Sequence, residues 1–127
     1  MINQLEPQFN LVSTRLLAIL GKYVDKNLSK RTDKPDQYEF IGPPTERSRG
    51  KEVWFGAVRI GKNYVSYHLM PIYACPDLLN DISPELKKRM QGKSCFNFTR
   101  VDEILFRELA ELTERGYERF KKEGFIG

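Results

Sequence analysis

Two alternating apolar runs, Val53 to Ile60 (VWFGAVRI) and Tyr64 to Ile72 (YVSYHLMPI), constrain this chain more than any other feature. Both are rich in β-branched and aromatic residues, and runs of that kind fit a pleated, half-buried surface. Gly61, Lys62 and Asn63 lie between them. Glycine at the first central position, followed by Lys62, suits a two-residue type II′ hairpin turn, with Asn63 as the alternative turn residue. Alternation with a period of two puts Val65, Tyr67 and Leu69 on one face and Tyr64, Ser66, His68 and Met70 on the other. The first set reads as core and the second as a solvated or ligand-facing side. A lone hairpin is marginal in water, so the remaining chain must cover its apolar side.

The flanking segments supply that cover. Phe9, Val12, Leu16, Ile19, Leu20 and Tyr23 recur at spacings of three and four, which predicts an amphipathic helix over Phe9 to Val24 with Pro7 in or before its first turn. Gly21 costs that helix about 1 kcal/mol relative to alanine. Residues 25–37 are charged and poor in apolar side chains and read as a surface loop. Tyr38 to Ile41 reads as a short strand stopped by Gly42-Pro43-Pro44, and Pro43 to Gly50 as a polar loop. Pro71 and Pro76 bracket the exit from the hairpin, and Asp77 to Asn80 forms one helical turn. Ser83-Pro84-Glu85 opens a short helix that Gly92 ends. Ser94 to Phe98 (SCFNF) alternates and reads as a further strand. Thr99 or Asp102 caps a last helix running to about Glu123, with Leu105, Leu109, Leu112 and Phe120 on its buried stripe. Charge pairs four apart, such as Glu103–Arg107 and Glu118–Lys122, decorate its outer faces. This order predicts one α+β domain over residues 1–127: an antiparallel sheet with the N- and C-terminal helices packed on one face.

Composition agrees with a single core. The chain has 127 residues, 40% hydrophobic and 30% charged, which excludes collagen-like, disulfide-scaffold and largely disordered classes. The net charge of +4 is unevenly spread: residues 1–63 carry eleven Lys/Arg against seven Asp/Glu, and residues 64–127 carry ten against ten. The basic surplus between Lys22 and Lys62 could attract phosphate, but Asp25, Asp33, Asp36, Glu39, Glu46 and Glu52 interrupt it. It lacks the dense basic stripe of a nucleic-acid domain, so no nucleic acid is expected as partner. The longest apolar stretch, Leu16 to Leu20, is far too short for a membrane span, and Met1 to Asn10 lacks the basic start and apolar core of a secretory leader. With Cys75 and Cys95 in no secretory context, a reducing cytoplasm is the expected compartment.

The run from Gly50, GKEVWFGAVRIGKNYVSYHLMPIY, followed by SPELKKRMQGKSCFNF, resembles the YdhG-like family of small bacterial domains of unknown function. The likeness covers about residues 50–125, and GKSCFNF with the acid-containing helix behind it is its most specific part. The resemblance implies a compact α+β domain whose sheet is flanked by terminal helices. Some members of that group are described as frataxin-like, with a suggested role in carrying iron on an acidic ridge of the first helix and adjoining strand. This chain departs there: its first helix offers only Asp25 at its end and Glu6 before its start, with Arg15 and Lys22 between. Its acids gather instead on the last helix, where Glu108, Glu111, Glu114 and Glu118 alternate with Arg107, Arg115 and Arg119. Such a face is ordinarily solvated.

Chemistry-bearing residues are few. His68, the single histidine, is either a hydrogen-bonded half-buried side chain or a general base. Cys75 and Cys95 lie in apolar surroundings, where thiols are usually inert packing. One histidine, two cysteines and no CxxC spacing do not close a zinc site, and no phosphate-binding glycine fingerprint exists, so neither metal nor cofactor is expected. Trp54, Tyr64, Tyr67 and Tyr73, with His68, Lys93 and Arg59, make an aromatic set with polar handles, the usual lining of a small-ligand site.

The sequence therefore reads as a non-catalytic cytoplasmic binding or adaptor domain for a small molecule or protein partner, with oligomeric state left open. The ligand-binding residues expected on the open sheet face are Trp54, Arg59, Tyr64, Tyr67, His68 and Lys93. One alternative is a frataxin-like iron-binding chaperone. A second is an enzyme using His68 with Cys95 or Lys93.

Overall fold

The computed structural model describes residues 6–34 and 36–126; Met1 to Leu5, Pro35 and Gly127 lie outside it. Helix α1, Glu6–Gly21, begins and ends three residues before the expected bounds. It buries Phe9, Val12, Leu16 and Leu20, and Tyr23 continues the stripe in the turn that follows. Asn27 takes a positive φ of 77° there, a conformation that asparagine tolerates better than most residues.

A six-stranded antiparallel sheet follows, in the order β1-β2-β3-β4-β6-β5. Its strands are β1 Ser29–Lys34, β2 Gln37–Gly42, β3 Val53–Ile60, β4 Val65–Leu69, β5 Met90–Gln91 and β6 Cys95–Phe98. The α+β class is as the sequence implies. β1 corrects the surface loop expected over 25–37. Its sequence, SKRTDK, has no apolar residue, because an edge strand can have two solvated faces and needs none.

Two further expectations change at the hairpin. The Gly61 N–H donates to the Tyr64 carbonyl at 2.9 Å, so Lys62 and Asn63 form the tip and neither takes a positive φ. The type II′ turn is therefore absent. Glycine at 61 has a different reason: a Cβ there would stand 2.9 Å from the Tyr64 carbonyl oxygen. The second strand ends at Leu69 rather than Ile72. Met70–Ala74 forms helix α2 with Pro71 in its first turn, where the missing N–H costs nothing.

β2 pairs with β3 through a bulge: Phe40 faces Gly56, yet Ile41 faces Trp54, leaving Phe55 as the extra residue. A bulge resets alternation. Phe55, Val58 and Ile60 consequently join the buried side, where Gly56 also lies, while Trp54, Ala57 and Arg59 share the other. On the buried side, a Cβ at Gly56 would stand 2.9 Å from a Leu20 methyl of α1. There too the Tyr67 hydroxyl meets Thr113 of helix α4, Glu103–Lys122.

Between α2 and β5 the chain makes a 3₁₀ turn, Pro76–Leu79, and helix α3, Pro84–Lys87, whose Ser83 cap accepts from the Leu86 N–H at 3.1 Å. Asp102 caps α4 by accepting from the Leu105 N–H at 3.0 Å. The expected stripe of Leu105, Leu109, Leu112 and Phe120 is buried. Gly92, φ 76°, serves the β5–β6 connection rather than ending α3. No helix among the described residues is long and apolar enough to cross a membrane.

Candidate functional site

The side of the sheet away from the main core carries a connected set of polar and aromatic side chains. Glu39, in the middle of β2, is nearly sealed at 9% exposure. Its two carboxylate oxygens accept from the Trp54 indole Nε1–H and the Gln37 amide, each at 3.2 Å. A carboxylate at such depth needs donors on both oxygens. The bulge is what aims Trp54 at it. The Trp54 ring in turn meets His68 edge-on, with centroids 5.9 Å apart and planes at 72°.

His68 is held from both sides. Its Nδ1 lies 2.9 Å from Cys95 Sγ and its Nε2 3.2 Å from the Ser94 hydroxyl. His68 and Cys95 are direct cross-strand partners of β4 and β6, which fixes the pairing. Burial lowers the imidazole pKa and raises that of the Cys95 thiol. Both shifts favour the uncharged forms, so near neutrality the pair is thiol and imidazole rather than thiolate and imidazolium. A neutral imidazole has one donor and one acceptor nitrogen. One ring nitrogen therefore donates and the other accepts, and the Cys95 thiol and Ser94 hydroxyl, each able to do either, complete both contacts.

Trp54, Arg59, His68 and Cys95 border a shallow depression of about 190 Å³, with Gln37, Ala57 and Ser66 completing its wall. A polar chain continues along the same side: Ser66 donates to Asn97 at 2.8 Å, and Gln91 accepts from Asn97 at 2.6 Å and from the Tyr64 hydroxyl at 3.2 Å.

The structure thus brings together Trp54, Arg59 and His68 and puts Tyr64 at the end of the adjoining chain. It removes two expected members. Tyr67 is fully buried on the opposite side, its hydroxyl bonded to Thr113 and its pKa raised by burial, because strict alternation in β4 separates it from Ser66 and His68. Lys93 lies at a different cavity, with its ammonium over the Tyr73 ring at 5.8 Å. Gln37, Glu39 and Ser94 are further members that the sequence reading leaves out. Ser94 adjoins Cys95, and Glu39 counts in the sequence only among the acids that interrupt the basic surplus, although the flanking Tyr38 and Phe40 mark it as a strand residue.

The acids of α4 are largely occupied by structural work. Glu103 pairs with Arg15 of α1, Glu114 accepts from the Tyr23 hydroxyl, and Glu108 accepts from the Ser83 N–H and hydroxyl at 2.6 Å each. Among the described residues no group of three or more His, Cys, Asp or Glu side chains is placed to hold a metal ion. No family model, curated protein or solved structure matches the chain.

Proposed function

We propose that the chain is a non-catalytic binding domain, working in the cytoplasm, that seats a small molecule or a single side chain of a partner in the Trp54–His68 depression. The observation that carries this reading is the rigid mounting of Trp54: its indole N–H is anchored on a nearly sealed carboxylate and its ring braced by a doubly held histidine. An aromatic surface fixed before binding loses little conformational freedom on contact, which favours recognition. Arg59 at the rim is exposed and offers a cationic handle. At about 190 Å³ the depression is smaller than the roughly 300–1,000 Å³ usual for drug-sized ligands, so the group it takes is correspondingly small. Membership of the YdhG-like family is part of the proposal, resting on GKSCFNF and its flanks, and does not specify the ligand.

Trp54 is the chain's single tryptophan, so intrinsic fluorescence reports on this spot directly. Pools of small metabolites screened by ligand-observed NMR should give contacts that also alter Trp54 emission and that vanish in a folded Trp54→Ala variant. Contacts that survive this substitution remove the site.

One observation favours a second reading, thiol chemistry by Cys95 with His68 as base: the 2.9 Å contact between them. The uncharged state of the pair is unfavourable to it, and Lys93 has no part in it.

A further inference from the structure

A larger recess than the Trp54 depression lies elsewhere in the fold. Helix α2, the 3₁₀ turn, α3, β5 and the β5–β6 connection border an open cavity of about 670 Å³. Its apolar lining includes Ile72, Leu79 and Met90, and its cations are Lys87 and Lys93. Tyr73, at 58% exposure one of the few exposed large hydrophobic side chains, stands beside Lys93. No acidic residue lines the cavity, and neither lysine has a carboxylate partner among the described residues. Two exposed cations beside an apolar recess, Lys93 with its ammonium over the Tyr73 ring, offer charge complementarity to an anion without a competing carboxylate. A volume of about 670 Å³ falls within the range of small-molecule sites. Methionine in the lining adapts to an irregular apolar body.

We infer that this cavity is a binding site for a small amphiphilic carboxylate, its apolar body against Ile72, Leu79 and Met90 and its head group between Lys87 and Lys93. The chemistry separates it from the Trp54 depression, so it stands or falls independently of the function proposed above. Two lysines act as point charges and recognise a compact anion without the planar fork that arginine supplies. An apolar body provides most of the affinity and the head group fixes orientation.

The test uses decanoate as probe, with 1-decanol and acetate as controls, followed by amide chemical shifts of the full chain. Decanoate should saturate, with shifts centred on residues 72–93 and little change at Trp54. It should bind at least tenfold more tightly than decanol, while acetate should not saturate. The double variant Lys87→Gln/Lys93→Gln, whose changes are at the surface, should lose at least tenfold in decanoate affinity and leave decanol binding unchanged. Raising salt should weaken decanoate alone, because exposed charges are screened. Absence of saturable decanoate binding, equal affinity for decanol, shifts centred elsewhere, or a double variant that binds as well as the parent would each overturn the assignment.

Discussion

His68 and Cys95 face each other across β4 and β6, with Nδ1 and Sγ 2.9 Å apart, and burial pushes both toward their uncharged forms. A thiol in this state is a poor nucleophile near neutrality, since only the thiolate attacks. In a Cys75→Ser background, alkylation of Cys95 by iodoacetamide should be slower at neutral pH than that of a solvated cysteine, with its rate midpoint above the usual value of about 8.5. A midpoint below neutrality would favour the enzymatic reading instead.

The same histidine sets a pH dependence of stability. Burial lowers its folded-state pKa below the unfolded value of about 6.5. The unfolded chain therefore binds more protons as pH falls through this window, and stability present above about 6.5 is lost toward the folded-state value. Denaturant melts between pH 7.5 and 5.5 should show a fall that is reduced in His68→Gln, and a slope unchanged by the substitution would contradict the assignment.

Glu39 and Trp54 form a coupled pair. Trp54→Phe keeps a ring but removes the N–H, leaving one oxygen of a nearly sealed carboxylate without that donor. The expected loss is about 1–3 kcal/mol. Adding Glu39→Gln should recover part of it, and a double-mutant cycle measures the coupling. Additive losses would mean that the contact contributes nothing.

Gly56 lies against Leu20, and a Cβ there would also come within 3.0 Å of the His68 carbonyl oxygen. A leucine methyl can move, but strand backbone cannot without disturbing the β3–β4 register. Gly56→Ala should therefore cost about 1–3 kcal/mol, the usual penalty for overpacking. Urea unfolding checks this, and an unchanged midpoint would show that the sheet yields there.

Tyr67→Phe separates core from site. Thr113 keeps its bond to the Leu109 carbonyl at 2.8 Å, so the loss should be only about 0.5–1.5 kcal/mol. Any ligand response of Trp54 fluorescence should stay as in the parent chain, because Tyr67 is on the other side of the sheet.

How much was legible in the sequence follows from which signals are local. β3, β4, β6 and α4 announce themselves because alternation and helical spacing repeat within each segment. β1 does not, since a strand with no apolar residue resembles a loop. The placement of His68 follows from alternation within β4, whereas that of Trp54 does not: simple alternation groups it with Gly56 and Val58, and only the bulge at Phe55 carries it to the other side. Lys93 was misplaced because its position depends on the path of residues 70–92, which no local period encodes. Glu39 escapes a composition-based reading because charge ordinarily signals exposure, although its β2 neighbours Tyr38 and Phe40 pack against the core.

The two rims of the sheet differ in length but share an outcome. One is β1, with three basic residues and an aspartate in six positions; the other is β5, two residues long. A strand from a second molecule seeking to extend the ladder meets charge repulsion at the first and almost no backbone to grip at the second. The fold thereby discourages fibre-like stacking at high concentration while leaving the faces of the sheet free of that constraint.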